Sequence, residues 1–316
     1  MKNILIYEYI TGGGIINEDL THDLLYEAKL ILESLINDFS KLKTIDFKYL
    51  LDYRLKDRYE SSNSIIVKES DYNLTPDIYK NFNYVLPVLP ESHNILYQYS
   101  RFLEKNKIKK ILSSSEIIKV MSDKKLFSNF CKKAKIKHPL LISDISKIKK
   151  NKLYVIKDRF GVGCSRIQII SGKDLKHFDS KKYIVQEYIK GKSFSASIFC
   201  SKGNFIILSF NEHQIKKNKN NYIKINKIIV NRNISNHPKI FGLLNKLKNN
   251  VSSLSGYIGI DFIITDDDIY IIELNPRITT SFTKLNSTLG INLAELINNS
   301  NIITPICGKT SRINLL

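Results

Sequence analysis

Short apolar runs alternate with amphipathic stretches over the first third of the chain. Asn3 to Tyr9 is an apolar run that ends in Gly12-Gly13-Gly14. Leu24, Leu25, Ala28, Ile31, Leu32 and Leu35 then recur at helical spacing. Ser64 to Val67 reads as another short strand, and Tyr84 to Leu89 as a third, closed by Pro87 and Pro90. Ile95, Leu96, Tyr99, Phe102 and Leu103 give a second helical stripe. Strands alternating with helices predict a parallel sheet in an α/β unit that ends near Ile111-Leu112.

The pattern then changes. Ser122 is placed to cap a helix carrying Leu126, Phe127, Phe130 and Ala134. After Pro139, strands are expected at Leu153–Lys157 and Ser165–Ile170 around a glycine loop, which favours antiparallel pairing. Tyr183–Gln186 is a further strand. Ser195–Cys200 and Asn204–Phe210 form a hairpin around Lys202-Gly203, and Lys224–Val230 is another strand. Ile240, Phe241, Leu244, Leu247, Val251 and Leu254 share a helix face. Tyr257–Ile264 and Ile269–Leu274 make the final hairpin, and Leu289–Ile297 a closing helix. Lys216–Asn221 is a low-complexity loop, and no internal repeat is evident.

The bulk numbers narrow the class. A chain of 316 residues, 43% hydrophobic and 25% charged, is globular and large enough for two or three packed units. No apolar run approaches the ~18–20 residues that span a bilayer. Glu8 interrupts the apolar start, and no small-residue cleavage site follows, so it reads as a strand and not a signal peptide. Cys131, Cys164, Cys200 and Cys307 form no C-x-x-C pair and fit the reduced thiols of a cytoplasmic protein. The net charge is +19, yet the lysines are scattered, and no helix carries a basic stripe with interleaved aromatics. We read the charge as composition spread over the surface, with an anionic small-molecule substrate adding to it. A nucleic-acid partner is not expected.

The strongest chemical signal is Gly259-Ile260-Asp261-Phe262 followed by Ile271-Ile272-Glu273-Leu274-Asn275-Pro276-Arg277. A turn centred on Asp267 sets Asp261 opposite Glu273. Like charges directly opposed are destabilising, so two carboxylates amid Ile, Phe and Leu call for a cation. Asn275 follows on Glu273's face. Two carboxylates and a carboxamide suit magnesium held jointly with nucleotide phosphates. Pro276 stiffens the strand exit, and Arg277 beside the acids can fork onto a phosphate or a carboxylate. Val155-Ile156-Lys157 runs into Gly161-Val162-Gly163-Cys164-Ser165, where a lysine and glycine-loop amides can reach the same phosphates. This is neither a Walker A loop nor a Rossmann fingerprint. Val185-Gln186-Glu187-Tyr188-Ile189 can read an adenine edge through its backbone or can simply link two units. Ser122-Asp123-Lys124 is a helix start with a cap and, by default, a surface lysine.

Taken in order, these segments resemble the ATP-grasp superfamily over residues 113–310. The resemblance implies an N-terminal α/β unit (1–112), a central α+β subdomain (113–186) and a C-terminal one (187–316), with ATP between the last two. It implies phosphate contacts from Lys124, Lys157 and the loop at Gly161 and Gly163, and adenine held by Gln186, Glu187, Tyr188 and Ile189. It also implies two magnesium ions, replaceable by manganese, on Asp261, Glu273 and Asn275, with Arg277 and Lys157 steadying the phosphoryl group. The family's ribose-binding glutamate is replaced by Ser193, so ribose contact falls to Ser193 or a neighbour. The start Ile6-Tyr7-Glu8-Tyr9-Ile10-Thr11-Gly12-Gly13-Gly14 is similar to the tyramine–L-glutamate ligases of methanofuran biosynthesis. That likeness implies an acyl-phosphate ligase joining a small carboxylate to an amine in the cytoplasm and off the membrane, with a homodimer allowed. Glu8, Gly12, Gly13 and His213 are then candidate substrate contacts. Glu8 can equally pair with a lysine, and His213 can equally be a solvated loop residue after a strand end. A D-alanine or peptide-tail type ligase, or a basic nucleic-acid binder without ATP turnover, are the alternatives.

Overall fold

The computed structural model describes residues 1–68, 76–161, 166–234, 237–299 and 309–315. Its first part contains β1 (Lys2–Glu8), α1 (His22–Ser40), β2 (Ile45–Asp52), α2 (Lys56–Tyr59), β3 (Ser64–Val67), β4 (Tyr84–Val88) and α3 (Ile95–Lys105). The strands form a parallel sheet in the order β3-β2-β1-β4. Ile4, Leu5 and Ile6 of β1 are all fully buried, as expected for a central parallel strand covered on both faces. Ile4 and Ile6 pack with Ile31, Leu32 and Leu35 of α1, while Leu5 and Tyr7 pack with Leu96 and Leu103 of α3. Leu24, expected on the buried face of α1, is 47% exposed.

The chain leaves β1 toward β2 and β3, then crosses to β4 on the other side. The C-terminal ends of β1 and β4 therefore sit side by side, with Glu8 registered on Val88. Such a reversal leaves a crevice at the carboxyl ends of the strands. β2 was not expected. Ile45, Phe47 and Tyr49 alternate with Asp46 and Lys48, but burial is continuous from Tyr49 on, and no glycine flanks the run. Pro87 lies inside β4 and does not close it. It is tolerated because β4 has β1 on one side and only the isolated bridge Val85–Lys110 on the other.

The second part contains α4 (Ser115–Ser122), α5 (Lys124–Lys133), β5 (Leu141–Ile142), β6 (Leu153–Asp158), β7 (Ile167–Ser171), β8 (Tyr183–Glu187), β9 (Lys192–Ser201), β10 (Asn204–Lys217) and β11 (Tyr222–Val230). It continues with α6 (Ile240–Asn250), β12 (Gly256–Ile264), β13 (Ile269–Asn275), α7 (Leu285–Leu289), α8 (Leu293–Asn298) and β14 (Ser311–Asn314). One ten-stranded sheet runs β13-β12-β9-β10-β11-β7-β6-β8-β5, with β14 on β11. Among the described residues, its two halves are joined by a short ladder, Tyr222 on Gln168 and Ile223 on Ile167, extended by the Ile169 amide donating to the Asn221 carbonyl. Phe194, Ala196, Ile198 and Cys200 of β9 pack on α5 and α6, so the opposite face of β9 is free to line a site.

Several boundaries differ from expectation. Asp123, not Ser122, caps α5, with Oδ1 accepting from the Lys125 and Leu126 amides. β10 continues through His213 to Lys217, because β11 pairs with it there. The closing helix is two helices broken at Gly290 (φ 68°), with Asn292 capping the second. Phe241 is 46% exposed. Ser165, Cys164 and Cys307 lie outside the described residues; Cys131 and Cys200 are buried free thiols. Among the described residues no helix is long and apolar enough to cross a membrane.

The α1 helix is tied to the end of the chain by Asp38. Its Oδ2 accepts from the Leu293 amide at 2.9 Å and its Oδ1 from Asn286 Nδ2 at 2.5 Å. Burial pushes this carboxyl up to about 6.

Candidate active site

The last hairpin brings Asp261 and Glu273 directly opposite each other, by a route the sequence did not reveal. Thr265 N–H donates to the Asp268 carbonyl at 2.9 Å, so the turn is Asp266-Asp267. That sets Ile264 on Ile269, Ile263 on Tyr270 and Phe262 on Ile271. A bulge at Ile272 then shifts the ladder, and Asp261 meets Glu273 while Gly259 meets Asn275. Ile271 and Leu274 face the core, leaving Glu273 and Asn275 on the other side. Gly259 is required by packing, since a Cβ there would stand 2.6 Å from Thr279 Cγ2.

Asn275 Nδ2 donates to Asp261 Oδ2 at 3.2 Å. Lys124 Nζ stands 3.4 Å from Glu273 Oε2 and donates to the Gly161 carbonyl at 2.6 Å. Lys124 is thus a buried residue at the acids and the mouth of the glycine loop, not the surface lysine expected by default. Gly163 lies outside the described residues. Lys157, 4% exposed, also acts electrostatically on both acids. Burial, then the charge of Glu273, holds the Asp261 carboxyl well above its ordinary range. Burial opposes ionisation of Glu273 too, but Lys124 and Lys157 outweigh it and hold Glu273 low. Two opposed buried carboxylates beside a carboxamide make an oxygen-only donor set that fits a hard divalent cation.

These acids end a cavity of about 260 Å³ between the β6–β8 strands and the β9–β13 strands. Val155, Ile167, Ile169 and Ile223 give it apolar walls, and Lys157, Gln186, Ser193 and His213 line it as polar groups. The segment Gln186–Ile189 forms one side. Gln186 Nε2 reaches the Pro139 carbonyl at 3.4 Å. The Glu187 and Tyr188 amides are taken by the Leu140 and Leu153 carbonyls, whereas the Ile189 amide has no hydrogen-bond partner among the described residues. The Glu187 carboxylate pairs with Lys152 at 2.8 Å, so its side chain is engaged outward. His213 is a strand residue, not a loop residue. Its Nδ1 lies 3.4 Å from Ser193 Oγ and its Nε2 3.0 Å from Ser195 Oγ. Burial drives its pKa down to about 4, so the ring is neutral at pH 7.

Arg277 and the N-terminal candidates form a second cluster. Arg277 Nε donates to Glu91 Oε2 at 2.8 Å and Nη1 to the Ile278 carbonyl at 3.0 Å. Burial works against its charge, and Glu91 more than offsets this. Glu8 is buried, and its Oε2 accepts from the Thr11 amide and hydroxyl, both at 2.7 Å. Among the described residues Glu8 makes no lysine pair, and its carboxylate is buried rather than open. Glu8 instead fastens the glycine loop, and burial raises its carboxyl despite those bonds. Gly13 turns the loop at φ 89°, and a Cβ on Gly12 would meet the Glu8 carbonyl at 2.5 Å.

The ATP-grasp domain family matches residues 121–281, which span the cavity, both lysines and the acid hairpin. The chain belongs to the ATP-grasp family of ATP-dependent ligases. A tyramine–L-glutamate ligase from Methanocaldococcus fervens is 31% identical across 98% of this chain and 99% of its own length. Its counterpart from Methanocaldococcus jannaschii is 29% identical across 98% and 94%. A solved ATP-grasp superfamily structure from Archaeoglobus fulgidus covers 99% of this chain and 92% of its own, with a TM-score of 0.76 at 20% identity. ATP-grasp enzymes use ATP and divalent metal ions.

Most of one polar layer of this ATP-grasp site escaped the sequence reading, which named only Ser193 of its serines. Ser193, Ser195 and Ser197 alternate with buried apolar residues on β9. Asn211 Nδ2 donates to Ser195 Oγ at 3.2 Å and Ser197 Oγ at 3.1 Å, and Ser209 Oγ donates to Asn211 Oδ1 at 2.9 Å. Tyr257 donates to Ser197 Oγ at 2.8 Å, and its oxygen lies 3.3 Å from Thr279 Oγ1. Asp261 registers on Ser195 and Gly259 on Ser197, so this layer lies beside the acids on the same face of the sheet. The available signal was S-x-S-x-S on a strand whose other face is apolar.

Proposed function

We propose that the chain joins the γ-carboxylate of L-glutamate to tyramine at the expense of ATP, giving γ-glutamyltyramine, ADP and phosphate. The observation that carries this is the Asp261–Glu273–Asn275 cluster closing an apolar cavity, in a chain similar over nearly its full length to two tyramine–L-glutamate ligases. Adenine lies in the cavity against the Ile189 amide and the Glu187 backbone, and the Glu187 carboxylate has no part in it. Ser193 and neutral His213 take the ribose hydroxyls. Lys124, Lys157 and the Gly161 end of the loop hold the phosphates.

Magnesium, with manganese able to replace it, would be held by Asp261, Glu273 and Asn275, and it supplies charge neutralisation on the triphosphate. A glutamate γ-carboxylate oxygen attacks the γ-phosphorus, and the bridging P–O bond to ADP breaks. Lys157 and Arg277, whose guanidinium lies within electrostatic reach of Glu273, stabilise the charge on the transferring phosphoryl group. The amine nitrogen then attacks the acyl carbon, loses a proton and expels phosphate. The protein's contribution is positioning and electrostatics. Mass spectrometry of products from tyramine, glutamate, ATP and magnesium tests the reading. γ-Glutamyltyramine is the expected product. A product formed only when D-alanine or a peptide replaces these substrates assigns another acceptor.

A further inference from the structure

Three acidic side chains of the N-terminal part converge on the guanidinium of Arg277. Glu91 pairs with its Nε, and Glu8 and Glu27 lie within electrostatic reach. A local surplus of carboxylates runs against the +19 charge of the chain. Glu8 is occupied by Thr11, and Glu27, half-buried, accepts from Thr280 Oγ1. Glu91 is 4% exposed, and its Oε1 is buried without a hydrogen-bond partner. Its pair with Arg277 uses one arm only, where a side-on fork would engage both oxygens. A buried carboxylate oxygen lacking a donor is destabilising, and in native folds it asks for an explanation. The missing partner is a hydrogen-bond donor, best a cationic one. The place is also specific. Glu91 follows β4, whose carboxyl end lies beside that of β1 where the strand order reverses, the position at which open α/β sheets bind ligands, and its pair with Arg277 ties it to the exit of the acid hairpin.

We propose that Glu91, supported by the charge of Glu27, receives the α-ammonium of the amino-acid substrate whose side-chain carboxylate is activated at the hairpin. This deepens the ligase reading and rests on it. The ammonium of the second substrate is the weaker choice. That nitrogen must be deprotonated to attack, and a buried carboxylate favours its protonated form.

The test compares glutamate with glutarate, the same diacid without the amino group, by ADP release at saturating ATP, magnesium and tyramine. Wild type favours glutamate by about 100-fold in kcat/KM, the discrimination expected of a buried charged contact. Glu91→Gln reduces that preference at least about 10-fold through the glutamate KM, with the KM for ATP unmoved. An unchanged preference in E91Q overturns the proposal, with or without a lower melting temperature, and leaves Glu91 as a structural tie to Arg277. A defect confined to the tyramine KM overturns it as well. If E91Q does not fold, the wild-type preference decides: equal use of glutarate and glutamate overturns the proposal. A wild type that releases ADP with glutarate but shows no such preference still supports the ligase reading. A wild type that releases no ADP with any acid and amine overturns both.

Discussion

Replacing Asp261 with Asn separates the metal-holding role of the acid pair from its structural cost. In metal-free protein at pH 7, Asp261 either ionises against Glu273 or takes up a proton, and proton uptake sets a ceiling on the cost. From 3.8 to 7 is 3.2 units, and at about 1.36 kcal/mol per unit the ceiling is about 4 kcal/mol. Lys157 offsets part of this. Asn keeps the shape and still accepts from Asn275, so a gain of about 1–3 kcal/mol is expected. That corresponds to about 2–5 °C in melting temperature for a chain of this size. The sign follows from a raised folded-state pKa: the penalty is absent below 3.8 and grows as pH rises above it. The gain should therefore be small near pH 4 and largest at neutral pH. Calorimetry in EDTA without nucleotide measures it, and ADP release with magnesium measures the loss of turnover, expected at about 1,000-fold or more. A variant that melts below wild type at pH 7 in EDTA refutes the strained pair. One that retains turnover refutes the metal assignment.

Other substitutions probe the remaining contacts. Lys157→Ala should weaken ATP binding by about 10–100-fold in titration calorimetry; unchanged affinity contradicts its phosphate role. Lys124→Met should raise the KM for ATP by about 10-fold or more, and a normal KM would assign Lys124 only to Glu273. His213→Ala should erase discrimination between ATP and its deoxyribose analogues, worth about 10-fold in kcat/KM; retained discrimination places the ribose elsewhere. Asp38, raised from 3.8 to about 6, should make wild type lose about 2 kcal/mol relative to Asp38→Asn between pH 4 and 7. Urea melts at the two pH values check this, and a pH-independent difference contradicts it.

Much of this was legible because it depends on local chemistry. The glycine loop at the end of β1, the antiparallel β6–β7 pair and the acid hairpin each carry punctuation and alternation within a few residues. What was missed depends on partners distant in sequence. The bulge at Ile272 is invisible because Ile271 and Ile272 are the same residue type, and only packing decides which enters the core. His213 reads as a loop residue until β11 extends the ladder past Phe210. The Arg277–Glu91 pair spans 186 positions, and no pattern near either residue announces it. The serine face of β9 was on view, but period-2 polarity ordinarily marks a solvated face, and here that face is buried beside the acids.

The central claim is that a carboxylate is activated as an acyl phosphate over the Asp261–Glu273 pair. Glutamate labelled with ¹⁸O at its γ-carboxylate tests it most directly. Each turnover with ATP, magnesium and tyramine should send one labelled oxygen into phosphate and leave one in the amide, with none in ADP. Amide product accompanied by unlabelled phosphate would contradict the account.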